Sequence, residues 1–247
     1  MIKVGILETG ATRPELLSEF GTFSSWFENL FANSSLDLNF EIFMVYRDQF
    51  PTTIDVCDAY IITGSAASSN DEEAWIRRLE VFIRDAEKQL PIIGVCFGHQ
   101  VVHKALGGSV ELAKQGWGVG IHDYDVTNVP DWLSNAPEQL SFCASHQDQV
   151  VEPAPGTTII ASSAFCRAAA TTVGTNILTI QSHPEMSKAL SRNLYEIRRE
   201  LLGDQLADQA VSSLEKPTNE QVFVDMVEQF LIARLGSQTP DAYRRSA

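Results

Sequence analysis

The stretch IIGVCFGHQVVH, residues 92–103, contains the change of periodicity that decides the fold. Its aliphatic start predicts a buried strand, and from residue 97 onward the apolar spacing is helical. Cys96 stands at the bend, between Gly94 and Gly98. A cysteine in this position is either a small buried residue that ends a core strand or a nucleophile on a sharp turn.

The flanking glycines favour the nucleophile. Small residues on both sides permit a strained backbone and leave the cysteine side chain accessible at the turn. The sulfur would lie at the amino end of the following helix, where free N–H groups and the helix dipole favour thiolate over thiol. The same N–H groups can stabilise an oxyanion.

The rest of the N-terminal half alternates short apolar strands with amphipathic helices. The predicted strands are IKVGIL (2–7), FEIFMVY (40–46) and AYIITGS (59–65), and Ser69 or Asn70 is predicted to cap the helix that follows. This alternation predicts an α/β fold with a mostly parallel, flavodoxin-like central sheet flanked by helices. Reactive groups then gather at the carboxyl ends of the strands, where Gly64 and Cys96 both fall.

The chain changes character twice after this unit. Residues 109–182 contain shorter β-prone runs, which predict completion of the sheet and a small antiparallel edge. From Lys188 onward the pattern is helical and amphipathic. We therefore expect a domain over residues 1–187 and a C-terminal helical extension, 188–247, packed on the same domain.

Composition narrows the class of partner. The formal net charge of −14 argues against nucleic acid or an anionic membrane surface as the main partner. The N-terminus lacks a signal-peptide pattern and no apolar run approaches the length of a membrane span, so we expect a cytoplasmic protein. The four cysteines form no CxxC pair, which favours reduced thiols.

Two histidines share one face of the helix after Cys96. His99 and His103 have the i, i+4 spacing of a metal pair, but Gln100 stands where the HExxH zinc motif has glutamate. We expect no metal and no cofactor.

A thiolate nucleophile needs a base that is oriented by a third group. His183 lies in TIQSHPEM at the end of an apolar run, and Pro184 restricts it to extended geometry. In an extended segment residues i and i+2 project the same way, so Glu185 should lie beside the imidazole. The alternative is an exposed His-Pro-Glu turn without a catalytic role.

GVCFGHQ (94–100) followed by QSHPE (181–185) resembles the triad-type class I glutamine amidotransferase family. The similarity covers most of residues 1–187, and ITGSAASSNDEEAWI and GWGVG are similar to a stand-alone branch. That branch is related to the glutaminase domain of GMP synthase and to plant γ-glutamyl peptidases. The resemblance implies that Cys96 attacks the side-chain amide of glutamine to form a γ-glutamyl thioester, which water then hydrolyses. His183 would transfer the proton and Glu185 would orient His183.

The resemblance also implies an oxyanion hole and a small-molecule substrate site. The oxyanion would be bound by the backbone N–H groups of Gly64 and Phe97. Gln100 and the segment Ser145, His146 and Gln147 would bind the substrate, largely through backbone atoms. The plainer alternative is that Gln100 solvates a helix turn and SHQD is an ordinary polar loop. TGSAAS (63–68) and Ser182 depart from the usual family pattern.

Several functions remain open at this point. No synthetase-sized segment follows residue 187 and no phosphate-binding loop motif occurs, so the ammonia would serve a separate synthetase. Alternatively, the protein hydrolyses a γ-glutamyl conjugate by itself. A dienelactone-type hydrolase shares the cysteine turn, but there the acid precedes the histidine by tens of residues. A catalytically idle homologue with a binding or regulatory role in a larger assembly is the non-enzymatic alternative. The sequence predicts no oligomeric state.

Overall fold

A computed structural model describes residues 1–236. Its strands are β1 (Ile2–Glu8), β2 (Leu38–Met44), β3 (Ala59–Ile62), β4 (Ile92–Val95), β5 (Ser109–Leu112), β6 (Gly118–Val126), β7 (Gln139–His146), β8 (Asp148–Glu152), β9 (Thr157–Ser162), β10 (Ala170–Val173) and β11 (Ile177–Ile180). Its helices are α1 (Pro14–Phe20), α2 (Phe23–Leu30), α3 (Ala74–Ala86), α4 (Phe97–Ala105), α5 (Lys188–Ile197), α6 (Arg199–Leu202), α7 (Asp204–Ser213) and α8 (Glu220–Leu235).

The central sheet has nine strands in the order β2-β1-β3-β4-β11-β10-β9-β6-β7. Every pairing from β2 to β11 is parallel. The strands from β10 to β7 continue the sheet in antiparallel pairs, and β5 and β8 form a separate two-stranded sheet. The predicted α/β class with a mostly parallel centre is confirmed, and the antiparallel part extends over four strands of the main sheet.

The sheet order places three distant segments side by side. Strand β4 lies between β3 and β11 and runs parallel to both, so the carboxyl ends of all three meet at one edge. Gly64 follows β3, Cys96 follows β4, and His183 follows β11. The candidate site is built at this edge because the topology brings these three strand ends together.

Helix α4 packs unusually close to the sheet. A Cβ atom on Gly98 would lie 2.3 Å from the carbonyl oxygen of Ile62, and one on Gly94 would lie 2.7 Å from the carbonyl oxygen of Gly98. Both distances are too short for any side chain, so these glycines permit the backbones of β3, β4 and α4 to touch. This contact fixes where α4 begins and therefore where Cys96 lies.

Apolar residues cover both faces of the sheet. On one face Ile93 and Val95 pack with Phe27 of α2 and with Phe223 and Phe230 of α8. On the other face the core joins α3 and α4 to the sheet through Ile62, Ile76, Ile83, Ile92 and Val101. Helix α8 thus belongs to the same apolar core as β4. The domain division at residue 187 stays a prediction. Residues 237–247 of the predicted extension lie outside the described part of the chain.

The helix before β4 begins later than the sequence pattern predicts. Helix α3 has Glu73 as its N-cap, so capping by Ser69 or Asn70 is wrong. The amide of Asn70 instead donates to the carbonyl oxygen of Val110 at 2.8 Å, and the carbonyl of Ser69 accepts from Lys104 Nζ at 2.6 Å. These tertiary hydrogen bonds hold residues 69 and 70 in a turn ahead of the helix.

The two histidines of α4 form part of a buried polar network. His99 Nδ1 lies 2.7 Å from Thr179 Oγ1, and His103 Nε2 lies 3.0 Å from Thr171 Oγ1. The two threonine hydroxyls are 2.7 Å apart, and His103 Nδ1 accepts from the N–H of Ala154 at 3.1 Å. The network links α4 to β10 and β11 through one ring nitrogen of His99 and both ring nitrogens of His103.

Within residues 1–236, no helix combines the length and the apolar character that spanning a bilayer requires.

The glycine contact between α4 and β3 predicts a large packing penalty. Gly98→Ala should lower the free energy of unfolding by about 2 kcal/mol or more, because the new Cβ meets a backbone oxygen that cannot move aside. Gly174→Ala is the control, since a Cβ there meets no atom within 4 Å and only the backbone at φ 55° opposes it. Urea unfolding measures the free energy of unfolding of both variants. Equal losses of this free energy in Gly98→Ala and Gly174→Ala would contradict a specific packing penalty at Gly98.

The buried histidine network predicts sensitivity to acid. Burial lowers the pKa of His103 from 6.5 to about 4, so between these pH values the unfolded chain binds a proton that the folded chain does not. Stability should therefore fall as pH falls, by up to about 1.4 kcal/mol per pH unit from this residue. His103→Gln should lose less stability than the wild type between pH 6.5 and pH 4 in urea titrations. If the wild type and His103→Gln lose the same stability over this pH range, His103 is not a source of the acid sensitivity.

Candidate active site

Cys96 has a strained backbone at the strand-to-helix turn. Its φ of 53° and ψ of −101° lie in a region that residues other than glycine rarely adopt. The conformation is held from both sides, because the Cys96 N–H donates to Ile180 O at 2.8 Å and its carbonyl accepts from Gln100 N at 3.0 Å. Such strain at the start of a helix is the backbone signature of a nucleophile turn.

His183 and Glu185 lie together beside this turn. His183 Nδ1 is 2.7 Å from Glu185 Oε1, and both side chains are buried. The backbone N–H of His183 donates to Cys143 O at 2.8 Å, which fixes the segment against β7. Residues 183 and 185 therefore lie together as expected, but the extended geometry predicted for this segment is wrong. Pro184 and Glu185 form a turn, in which the Met186 N–H donates to His183 O at 3.3 Å.

Cys96 and His183 meet over Gly64. A Cβ atom on Gly64 would lie 2.9 Å from His183 Cε1 and 3.8 Å from Cys96 Cβ, so a larger residue would separate the two side chains. Because Nδ1 of His183 faces Glu185, Nε2 is the ring nitrogen of His183 that is available to the Cys96 sulfur.

The charges around His183 favour its protonated form. Burial lowers the pKa of the imidazole, but the Cys96 and Glu185 charges together outweigh burial and raise that pKa above its ordinary value. An imidazolium held between two anionic partners is suited to deliver a proton to a leaving group.

The N–H groups expected to bind an oxyanion lie at the same turn. Within the described chain, the hydrogen bonds leave the backbone N–H groups of Gly64 and Phe97 without an acceptor. Phe97 is the first residue of α4, so its N–H also lies at the positive end of the helix dipole.

A cavity of about 300 Å³ opens in front of Cys96, and we call it the nucleophile cavity. All the residues that the sequence suggested for substrate binding line it. Together with the turn they are Cys96, Phe97, Gln100, Ser145, His146 and Gln147. The structure thus brings this whole set to one concave site.

Hydrogen bonds inside the protein already occupy several of these polar side chains. Gln100 Nε2 donates to Asp148 O at 2.8 Å and contacts Gln181 Oε1 at 3.2 Å. Ser145 Oγ accepts from Arg198 Nη1 at 2.7 Å. Burial, followed by the charges of His122 and His183, lowers the pKa of His146 to about 3, so His146 is a neutral wall residue.

The sequence analysis did not predict two of the residues at the site, Gln181 and Arg198. Gln181 is fully buried, and its Nε2 lies 3.7 Å from Cys96 Sγ. Gln181 directly follows β11, so its place at a strand end was a detectable signal. Arg198 comes from the helical region after α5, and no local pattern marks it.

Comparison with known proteins agrees with this architecture. The sequence profile of class I glutamine amidotransferases matches residues 23–197, well over half of the chain. The chain belongs to the class I glutamine amidotransferase family. The matched region contains all three strand ends of the candidate site.

Relatives of this family member include enzymes of two kinds. It is 29% identical over 196 residues to γ-glutamyl peptidase 3 of Arabidopsis thaliana, covering 76% of this chain and 78% of the relative. It is 33% identical over 147 residues to a glutamine-hydrolysing GMP synthase subunit of Saccharolobus solfataricus, covering 59% and 76%. A glutamine amidotransferase structure from Thermotoga maritima matches with a TM-score of 0.75 at 16% identity, covering 96% and 99%, which shows the shared fold.

The charges of Cys96 and Glu185 beside His183 predict a change in the pKa of His183 when one of them is removed. Glu185→Gln should lower the pKa of His183 by about one to two pH units, because burial persists while one of the two anionic partners is lost. Ring ¹⁵N shifts followed by NMR report the titration, with Glu111→Gln on exposed β5 as the control. If the His183 titration midpoint is unchanged in Glu185→Gln, the Glu185 carboxylate does not raise the pKa of His183.

Proposed function

We propose that this protein hydrolyses a γ-glutamyl amide through a thioester on Cys96. The single observation that carries the proposal is the left-handed Cys96 at a strand-to-helix turn, facing the hydrogen-bonded pair of His183 and Glu185 across Gly64. Membership of the class I glutamine amidotransferase family supports glutamine or a γ-glutamyl compound as the donor.

In the proposed first step the Cys96 sulfur attacks the side-chain amide carbon of the substrate. The developing oxyanion accepts hydrogen bonds from the N–H groups of Gly64 and Phe97. His183 gives its proton to the departing nitrogen while the C–N bond breaks, and Glu185 keeps the imidazole oriented through Nδ1. The products of this step are a γ-glutamyl thioester and a free amine or ammonia.

In the second step His183, now neutral, accepts a proton from water. The hydroxide that forms attacks the thioester carbon, the C–S bond breaks, and the sulfur leaves as thiolate. The γ-glutamyl group is released as a carboxylic acid, which gives its proton to the solvent. Gln181 Nε2 lies close enough to the sulfur to donate to it in the resting enzyme and after this step. No group beyond the described residues and water is needed to balance the reaction.

Two versions of this function follow from the two kinds of relative. In one, the protein releases ammonia for a separate synthetase, as the similarity to the GMP synthase subunit suggests. In the other, it acts alone on a γ-glutamyl peptide, as the similarity to γ-glutamyl peptidase 3 suggests. Hydrolysis of glutamine that appears only when a synthetase is added would support the first version. Hydrolysis of γ-glutamyl peptides by the purified chain would support the second.

The thioester predicts a covalent adduct on one cysteine. Mass spectrometry of protein quenched with acid during turnover of glutamine or γ-glutamyl peptides should find a γ-glutamyl group on Cys96. The buried residues Cys57, Cys143 and Cys166 serve as internal controls in the same digest. Cys96→Ala should abolish the adduct and lower glutamate release at least about 1,000-fold. Absence of both adduct and glutamate release in the wild type would identify an idle homologue instead.

A further inference from the structure

A second, smaller cavity adjoins the nucleophile cavity on the side of the imidazole. It has a volume of about 60 Å³, and His183 forms part of its wall. Ser65, Ala66, Ser145 and Arg198 line both cavities, so these four residues form the partition between them. We call this smaller space the imidazole cavity.

The walls of the imidazole cavity combine apolar side chains with two arginines. Leu16, Trp26 and Met186 are buried around it, and Arg13 and Arg198 contribute two guanidinium groups to its described lining. A cavity that joins apolar walls to guanidinium groups suits a ligand with a small carbon skeleton and an anionic end.

Arg198 is held in place without an acidic partner among residues 1–236. Its Nη1 donates to Ser145 Oγ at 2.7 Å, and its guanidinium lies 5.4 Å from the centre of the Trp117 ring. Burial and then the positive charge of Arg13 lower the pKa of Arg198, while the Cys96 charge opposes this effect. The guanidinium is therefore close enough to the reaction centre to sense the charge on the sulfur.

No ion pair within residues 1–236 neutralises the two arginines of the imidazole cavity. The protein has 32 acidic residues against 18 basic ones. Ion pairs among residues 1–236 involve the arginines Arg77, Arg78, Arg192 and Arg199. Arg13 and Arg198 form none within these residues, and they lie together at one cavity beside His183. Two arginines at one cavity that no acidic residue neutralises point to an anion supplied by the ligand.

The position of His183 decides which part of the substrate enters this cavity. In the proposed reaction His183 protonates the departing nitrogen, so the leaving group lies on the imidazole side of Cys96. Ammonia needs no apolar pocket and carries no negative charge. An amino acid attached through its nitrogen supplies both a carbon skeleton and a carboxylate, and a cavity of about 60 Å³ favours a small side chain on that amino acid.

We propose that the imidazole cavity binds the leaving group of a γ-glutamyl amino acid, with Arg198, assisted by Arg13, binding the carboxylate of a small residue such as alanine or glycine. This inference rests on the proposed function and names its substrate class. Attack by Cys96 forms the C–S bond, the amide C–N bond breaks, and the proton from His183 converts the leaving nitrogen to the free amine of the amino acid. Hydrolysis of the thioester then releases glutamate.

The test compares three substrates that share the γ-glutamyl group. γ-Glutamylalanine carries the carboxylate, γ-glutamylalaninamide has the same skeleton without that charge, and glutamine leaves only ammonia. The purified wild type should process γ-glutamylalanine with a kcat/KM about 30-fold above that for the alaninamide, mainly through KM, since a charge-assisted hydrogen bond has this effect on binding.

Variants separate binding of the carboxylate from general damage to the site. Arg198→Gln should reduce the ratio of kcat/KM between the two alanine substrates to about 1, and Arg198→Lys should keep part of it. Arg13→Gln, on the exposed start of α1, should lower the ratio less and tests the same cavity if Arg198 variants fold poorly. Arg192→Gln is the matched control on α5, and there the ratio should not change because this side chain is 46% exposed and pairs with Glu215.

The possible failures can be told apart. A wild type that releases glutamate equally fast from both alanine substrates overturns the carboxylate site and leaves the proposed function standing. Equal losses on all three substrates in Arg198→Gln would place Arg198 on the γ-glutamyl half or in the fold, which also overturns the inference. Release of glutamate from none of the three substrates overturns this inference and the proposed function together.

Discussion

The close contact between α4 and the sheet is the constraint on which the site depends. Gly94 and Gly98 let three backbones approach within distances that no side chain tolerates. This approach forces the chain to turn within one residue, and that residue is Cys96, with its φ of 53°. The unfavourable backbone is tolerated because hydrogen bonds to Ile180 and from Gln100 fix it on both sides. The same glycine contact therefore determines both the packing of α4 and the position of Cys96.

The imidazole is governed by a balance between burial and charge. A histidine as buried as His183 would be neutral by itself, as His146 is, with a pKa lowered to about 3. The difference lies in the neighbours, because His183 has a carboxylate at 2.7 Å and a sulfur across Gly64, whereas the charges nearest His146 are other histidines. Two histidines at the same sheet edge thus differ in protonation for electrostatic reasons alone.

Much of this arrangement could be predicted from the sequence because it follows local rules. The strand-to-helix change at Cys96 and the parallel centre of the sheet depend on periodicity within a few residues. His183 and Glu185 are close in sequence, and a turn brings their side chains together. Gln181 directly follows β11, so the rule that places reactive groups at strand ends applies to it as well. Features that depend on long-range packing could not be predicted. Nothing local indicates that Arg198 reaches Ser145, 53 positions away in sequence, or that Asn70 pairs with Val110 rather than capping α3. Local sequence motifs thus indicate the candidate catalytic residues, whereas the shape of the cavities around them depends on how the helices pack.

The partition between the two cavities has an evolutionary consequence. The residues proposed to transfer the acyl group come from strand ends in the middle of the sheet, whereas much of the wall of the imidazole cavity comes from α1, α2 and the region around α5. Under the proposed reaction, substitutions in these peripheral helices would change which amine can depart without disturbing the turn that carries the sulfur. Descendants of one ancestral scaffold can in this way diversify their donors while inheriting an unaltered reaction centre.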